Sequence, residues 1–142
     1  MSLRHNAIRE IGSSLSSLTT LTSLDLYENK LTDISTLSNT LPNLTYLDVS
    51  FNELRVIDPP LEGFPVLREL YLVSNKISAI LGVGQLPSLR CLELGSNRIR
   101  TIENLEPVSP TLEQLWLGRN KITTIQVSIS SIRCDMMRYH AI

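Results

Sequence analysis

Leu89-Arg90-Cys91-Leu92-Glu93-Leu94-Gly95-Ser96-Asn97-Arg98-Ile99 is the stretch whose pattern organises the rest of the chain. Leu92 and Leu94 flank Glu93. That period of two sends both leucines to one side of an extended strand and the carboxylate to the other. A strand this short cannot bury its leucine side alone, so it needs copies of itself alongside. The sequence supplies them at 21–31 (LTSLDLYENKL), 44–54 (LTYLDVSFNEL), 67–77 (LRELYLVSNKI) and 112–122 (LEQLWLGRNKI), with a partial copy, Leu3-Arg4-His5-Asn6-Ala7-Ile8, at the start. The asparagines fall at 6, 29, 52, 75, 97 and 120, with spacings of 23, 23, 23, 22 and 23. Self-similarity at a fixed period marks an architecture of stacked repeats.

The expected fold is an α/β repeat, a leucine-rich-repeat solenoid in which residues 1–126 form about six repeats of 22–23 residues. Strands stacked about 4.8 Å apart make a parallel sheet over a continuous aliphatic core. The asparagine follows each strand where the chain turns inward. Its amide can donate to and accept from backbone groups that would otherwise be buried unpaired, so it reads as a structural ladder. The return segments 37–44, 61–67, 83–89 and 105–112 carry apolar residues about three apart, and Pro42, Pro65 and Pro87 recur near their ends. That spacing suits short 3₁₀ or α turns, since proline limits helix length. Turns are bulkier than strands, so the stack bends into a right-handed arc with the parallel sheet on its concave side.

Composition narrows the function. A net charge of -1 gives no electrostatic case for nucleic acid or an anionic membrane. No apolar run approaches the roughly 18 residues of a membrane span, and no signal peptide is visible. Cys91 and Cys134 show neither CxxC nor CxxH spacing, which suggests no metal site or disulfide framework and fits a reducing cytosol or nucleus. The two histidines, His5 and His140, sit at opposite ends, and a Cys134–His140 pair lacks further ligands. Gly82-Val83-Gly84 is not a dinucleotide fingerprint, because Pro87 holds the third glycine position and the run lies in a return segment. The serines at 13, 14, 16 and 17 read as a solvated turn. Asn43-Leu44-Thr45 is a lone glycosylation triplet whose Leu44 belongs to the repeat. No catalytic residue, cofactor or metal is expected, and the chain is read as a non-enzyme.

The ends look unfinished. A solenoid needs caps because an outermost repeat exposes its apolar face. The chain starts inside a repeat, and after Gln126 the pattern stops. Residues 127–142 either fold over the last repeat, with Ile129, Ile132, Met136 and Met137 as an apolar face, or stay partly unstructured. The chain reads as a fragment or shortened form of a longer solenoid, and uncapped ends would also allow self-association.

The working surface is then the concave sheet. Its middle column is Asp25, Asp48, Tyr71, Glu93 and Trp116. Ser23, Tyr46, Glu69, Cys91 and Gln114 form one flanking column, and Tyr27, Ser50, Val73, Gly95 and Gly118 form the other. These columns mix aromatics with four acids and hold no Lys or Arg. Large aromatics are enriched at protein interfaces, and Trp116 beside Gly95 and Gly118 should leave room for a partner side chain. The carboxylates favour a partner patch rich in Lys and Arg.

LDLYENK, LDVSFNELR, LYLVSNKIS, LELGSNRIRTIENLE and LWLGRNKITTIQ, with the opening LRHNAIREI, resemble the sds-twenty-two-type regulatory subunits of protein phosphatase 1. The resemblance spans nearly all of residues 3–126 and includes variable positions. It implies a cytosolic and nuclear protein that wraps the phosphatase catalytic subunit with its concave face. It also implies contacts through the alternating acidic and aromatic middle column, here Asp48, Tyr71, Glu93 and Trp116, with Asp25 continuing it. The family has about a dozen repeats, and this chain has about half that number. A leucine-rich adaptor for a different protein partner is the alternative reading.

Overall fold

Each LxL copy forms a three-residue strand in the computed structural model, which describes residues 1–37, 40–57, 61 and 63–126. Strands β1 (Ser23–Asp25), β2 (Tyr46–Asp48), β3 (Glu69–Tyr71), β4 (Cys91–Glu93) and β6 (Gln114–Trp116) make one parallel sheet in the order β1-β2-β3-β4-β6. Equivalent residues of successive repeats pair throughout, Leu24 with Leu47, Leu70, Leu92 and then Leu115. The partial copy joins this stack, since Ser2 bridges Asp25 and the Leu3 N–H donates to the Asp25 carbonyl at 2.7 Å. The fold is the expected solenoid.

The core is built in columns. Leu24, Leu47, Leu70 and Leu92 are fully buried, as are Leu26, Val49, Leu72 and Leu94. Phe64 fills a place on the return side that leucines or valine occupy in neighbouring turns (Leu41, Leu86, Val108). At the margins the burial weakens, and Leu3, Ile8, Leu117 and Ile122 are only partly covered. A further column was not marked by the LxL reading. Ile11, Ile34, Ile57, Ile80 and Ile102 are all buried and repeat at the same intervals of 22 and 23 as the asparagines.

The asparagines form the expected ladder. Asn52 Nδ2 donates to the Val49 carbonyl of its own turn (3.1 Å) and to the Leu26 carbonyl of the preceding one (3.0 Å), while its Oδ1 accepts from the Leu31 N–H (2.9 Å). Asn75, Asn97 and Asn120 repeat this set. The residue before each asparagine is left-handed, from His5 (φ 54°) through Phe51 (55°) and Ser96 (56°) to Arg119 (57°). That tight turn aims the amide inward, and the ladder supplies the hydrogen bonds that offset its backbone strain.

The convex turns are 3₁₀, at Ser13–Ser17, Ser35–Leu37, Val83–Gln85 and Glu106–Val108, and among the described residues there is no α-helix. Ser16 and Ser17 are exposed, as a solvated turn requires. Gly82 enters the third turn with φ 73°, a conformation glycine adopts without penalty. The glycosylation triplet is absorbed by the fold. Asn43 Nδ2 donates to the Thr19 carbonyl (2.8 Å) and the Thr45 hydroxyl to the Thr22 carbonyl (2.9 Å). A second, two-stranded parallel sheet pairs β5 (Thr101–Ile102) with β7 (Thr124–Ile125). The expected tail, with Cys134, His140 and its capping role, lies outside the described residues.

Candidate protein-binding surface

The sheet register places Asp25, Asp48, Tyr71, Glu93 and Trp116 side by side, one from each repeat. Their environments differ more than their shared column suggests. Asp25 is half-buried. It accepts the Tyr27 N–H (3.1 Å) and lies 3.4 Å from the Arg4 guanidinium. Arg4 also lies over the Tyr27 ring, 4.5 Å from its centroid. The named columns hold no Lys or Arg, but the partial repeat brings a cation, Arg4, to the strand face in register with Tyr27. Asp48 is only 9% exposed and accepts the Ser50 N–H at 2.9 Å. Its charge acts through the face more than by direct contact.

Tyr71 donates its hydroxyl to Glu69 Oε2 (3.0 Å), and its ring packs on Tyr46 with centroids 5.4 Å apart. Burial, then the hydrogen bond to Glu69, pushes its phenol well above the usual range, so it remains a donor. Cys91 is buried behind this pair, with its Sγ 4.0 Å from the Tyr71 hydroxyl, although the strand alternation places it outward. Burial raises its thiol, which makes it an inert packing group.

Glu93 and Trp116 border an open cleft of about 370 Å³ lined also by Val73, Gly95, Gly118 and Arg119. The two glycines create that space. A Cβ at Gly118 would have no heavy atom within 4 Å, and one at Gly95 would meet only the Gly118 carbonyl, at 3.6 Å. Trp116 is half-buried rather than standing free, so its indole is a fixed wall. Glu93 forms no ion pair among the described residues. Burial, then the neighbouring Asp48 carboxylate, raises its pKa. An ammonium or guanidinium entering the cleft would meet an indole face and a carboxylate that gains from a counter-charge.

This yields a prediction for stability. A carboxyl whose folded pKa lies above its unfolded value favours folding below the unfolded pKa, and that contribution is lost as pH rises through the folded pKa. Glu93→Gln should therefore raise the melting temperature at pH 7, and the gain should vanish in acid. Thermal melts between about pH 3 and 8 check this. A gain that persists at pH 3 contradicts it.

Sequence reasoning missed Arg4 and Arg119. Arg4 follows the strand residue of a partial repeat that the full LxL pattern does not frame. Arg119 occupies the left-handed position before Asn120, which the other repeats fill with residues as different as Phe51 and Ser96.

Sequence families described as "Leucine rich repeat" match residues 1–54 and 21–77, and those described as "Leucine Rich repeats (2 copies)" match 65–107 and 87–131. The chain belongs to the leucine-rich-repeat family and is a protein-binding module of that class. Over 35 residues it is 60% identical to the protein phosphatase 1 regulatory subunit SDS22 homolog of Caenorhabditis elegans, a stretch covering 25% of this chain and 11% of that protein. Among solved structures it is similar to an internalin (inlF) of Listeria monocytogenes, with a TM-score of 0.68 and 26% identity over 88% of this chain and 40% of the internalin. The chain thus spans well under two thirds of either protein. Repeats of this family and this fold are typically interaction scaffolds rather than enzymes.

Proposed function

We propose that this chain is a non-catalytic regulatory module that binds the catalytic subunit of protein phosphatase 1 in the cytosol or nucleus, through Asp25, Asp48, Tyr71, Glu93 and Trp116. One observation carries the reading, the cleft between Glu93 and Trp116, whose carboxylate makes no ion pair among the described residues and whose floor is two glycines. A basic side chain of the partner is the group that fits it. The choice of phosphatase is supported by the short, strong likeness to an SDS22 homolog. Aromatic walls beside desolvated charge are where binding energy concentrates.

Co-elution of an equimolar mixture with the purified catalytic subunit in size-exclusion chromatography tests the partner. The chain is expected to shift into the complex peak, and Gly118→Val, whose Cβ would meet no heavy atom within 4 Å and whose branches enter the cleft, should stay behind while melting as the native chain does. If the native chain elutes alone, the phosphatase assignment fails and the cleft serves another basic partner.

A further inference from the structure

Charge on this solenoid is sorted by position. The strand columns carry Asp25, Asp48, Glu69 and Glu93, whereas the edge just past the asparagine ladder is basic. Its C-terminal end holds four exposed cations from two successive repeats, Arg98 and Arg100 in one and Arg119 and Lys121 in the next. Backbone hydrogen bonds fix their register. The Lys121 N–H donates to the Ile99 carbonyl (2.9 Å), the Thr123 N–H to the Arg100 carbonyl (2.8 Å) and the Ser96 N–H to the Gly118 carbonyl (2.8 Å). Lys121 therefore sits beside Arg98, Thr123 beside Arg100 and Arg119 beside Ser96.

The two repeats lie about 4.8 Å apart, and Arg98 and Arg100 are about 7 Å apart along the chain past the ladder, whereas Arg119 stands on the left-handed turn before Asn120. The second sheet, β5 with β7, continues directly from these segments. In the repeat just before these, the equivalent cation is spent internally, since Lys76 Nζ lies 2.7 Å from Glu53 Oε2 and holds that carboxyl below the usual range. None of the four cations at the C-terminal end makes an ion pair among the described residues. Holding them together costs repulsion that neutral residues such as Ser96 and Thr123 on the same edge avoid.

We propose that this basic edge is a second docking site, separate from the strand columns, that takes an extended acidic segment of a protein partner with carboxylates at alternate residues. The step from Arg98 to Arg100, with Lys121 beside Arg98, matches the repeat of side chains on one face of an extended peptide. A nucleic acid or membrane surface would spread its charge over the four acids of the adjacent columns as well. A short acidic segment confined to the edge meets Arg98, Arg100 and Lys121, and the narrow width of two repeats suits it.

The test is fluorescence anisotropy of the full chain with a labelled decapeptide of alternating Glu and Ser, at about 50 and 200 mM salt. A single-stranded oligo-dT of the same length serves as the competing polyanion. Saturable peptide binding is expected, weakened at least about tenfold by Arg98→Ser/Lys121→Ser with an unchanged melting temperature. Asp25→Asn, on the first strand and far from Arg119, should leave it intact, which separates this site from the strand columns. The proposal is overturned if the peptide does not bind, if the double variant binds equally well, or if oligo-dT binds as tightly as the peptide.

Discussion

Asn75→Leu is expected to destabilise the chain by about 3 kcal/mol or more, although the replacement is apolar, similar in size and buried. The reason lies in how the ladder shares its bonds. The carbonyls of Val49 and Leu72 each receive two asparagines, so they keep one donor when Asn75 is lost. The Leu54 N–H has Asn75 Oδ1 as its partner, at 3.0 Å in the buried interior, and would be left unpaired. The substituted side chain must also enter a space lined by carbonyl oxygens. Asn6→Leu is the control. Asn6 is exposed and donates only to the carbonyls of Leu3 and Arg4, so its loss should cost less than about 1 kcal/mol. Urea melts of both variants check the contrast. Equal losses at the two positions would mean that the ladder stabilises through something other than buried polar satisfaction.

Leu94→Ala comes next, with an expected loss of about 2–5 kcal/mol. Leu94 is fully buried in its column, between Leu72 and Leu117, just past β4 and two residues after Leu92. A solenoid transmits such a defect only to neighbouring turns, so relaxation into the cavity is limited by the register of β3, β4 and β6. Leu117→Ala deletes the same atoms from a partly covered site and should cost clearly less. Chemical denaturation of both variants decides the matter, and a Leu117→Ala loss as large as that of Leu94→Ala contradicts the columnar account.

The leucine frame and the asparagine ladder were legible in the sequence because each answers to a single local rule. Period two decides which side of the strand a residue faces, and that rule placed Trp116, Glu93 and Tyr71 on one surface in correct register. It does not decide exposure. Asp48 and Cys91 face outward by alternation, yet both are buried, one accepting the Ser50 N–H and the other beside the Tyr71 hydroxyl. Nor does it speak of contacts between repeats of unequal completeness, so the reach of Arg4 across Tyr27 to Asp25 was not visible. The isoleucine column was visible and unused, since its period equals that of the asparagines. The pairing of β5 with β7 depends on two segments, around 101 and 124, running close enough for their own ladder, and the spacing of leucines does not report that.

Two surfaces of opposite character follow from this arrangement. The strand face is acidic and aromatic, with its free volume concentrated where Gly95 and Gly118 remove side chains. The edge past the ladder is basic and leads into the β5–β7 pair. A partner that presents lysine or arginine to the first and carboxylates to the second would be held in a single orientation, since reversing it opposes like charges on both.

Titration calorimetry of this chain with the purified catalytic subunit of protein phosphatase 1, at about 50 and 150 mM salt, tests the central claim most directly. The account predicts saturable binding that weakens as salt rises, and a loss of roughly 2 kcal/mol or more in Trp116→Ala/Glu93→Lys with the fold intact by circular dichroism. Absence of binding by the folded, monomeric chain, or binding untouched by the double variant, would contradict it.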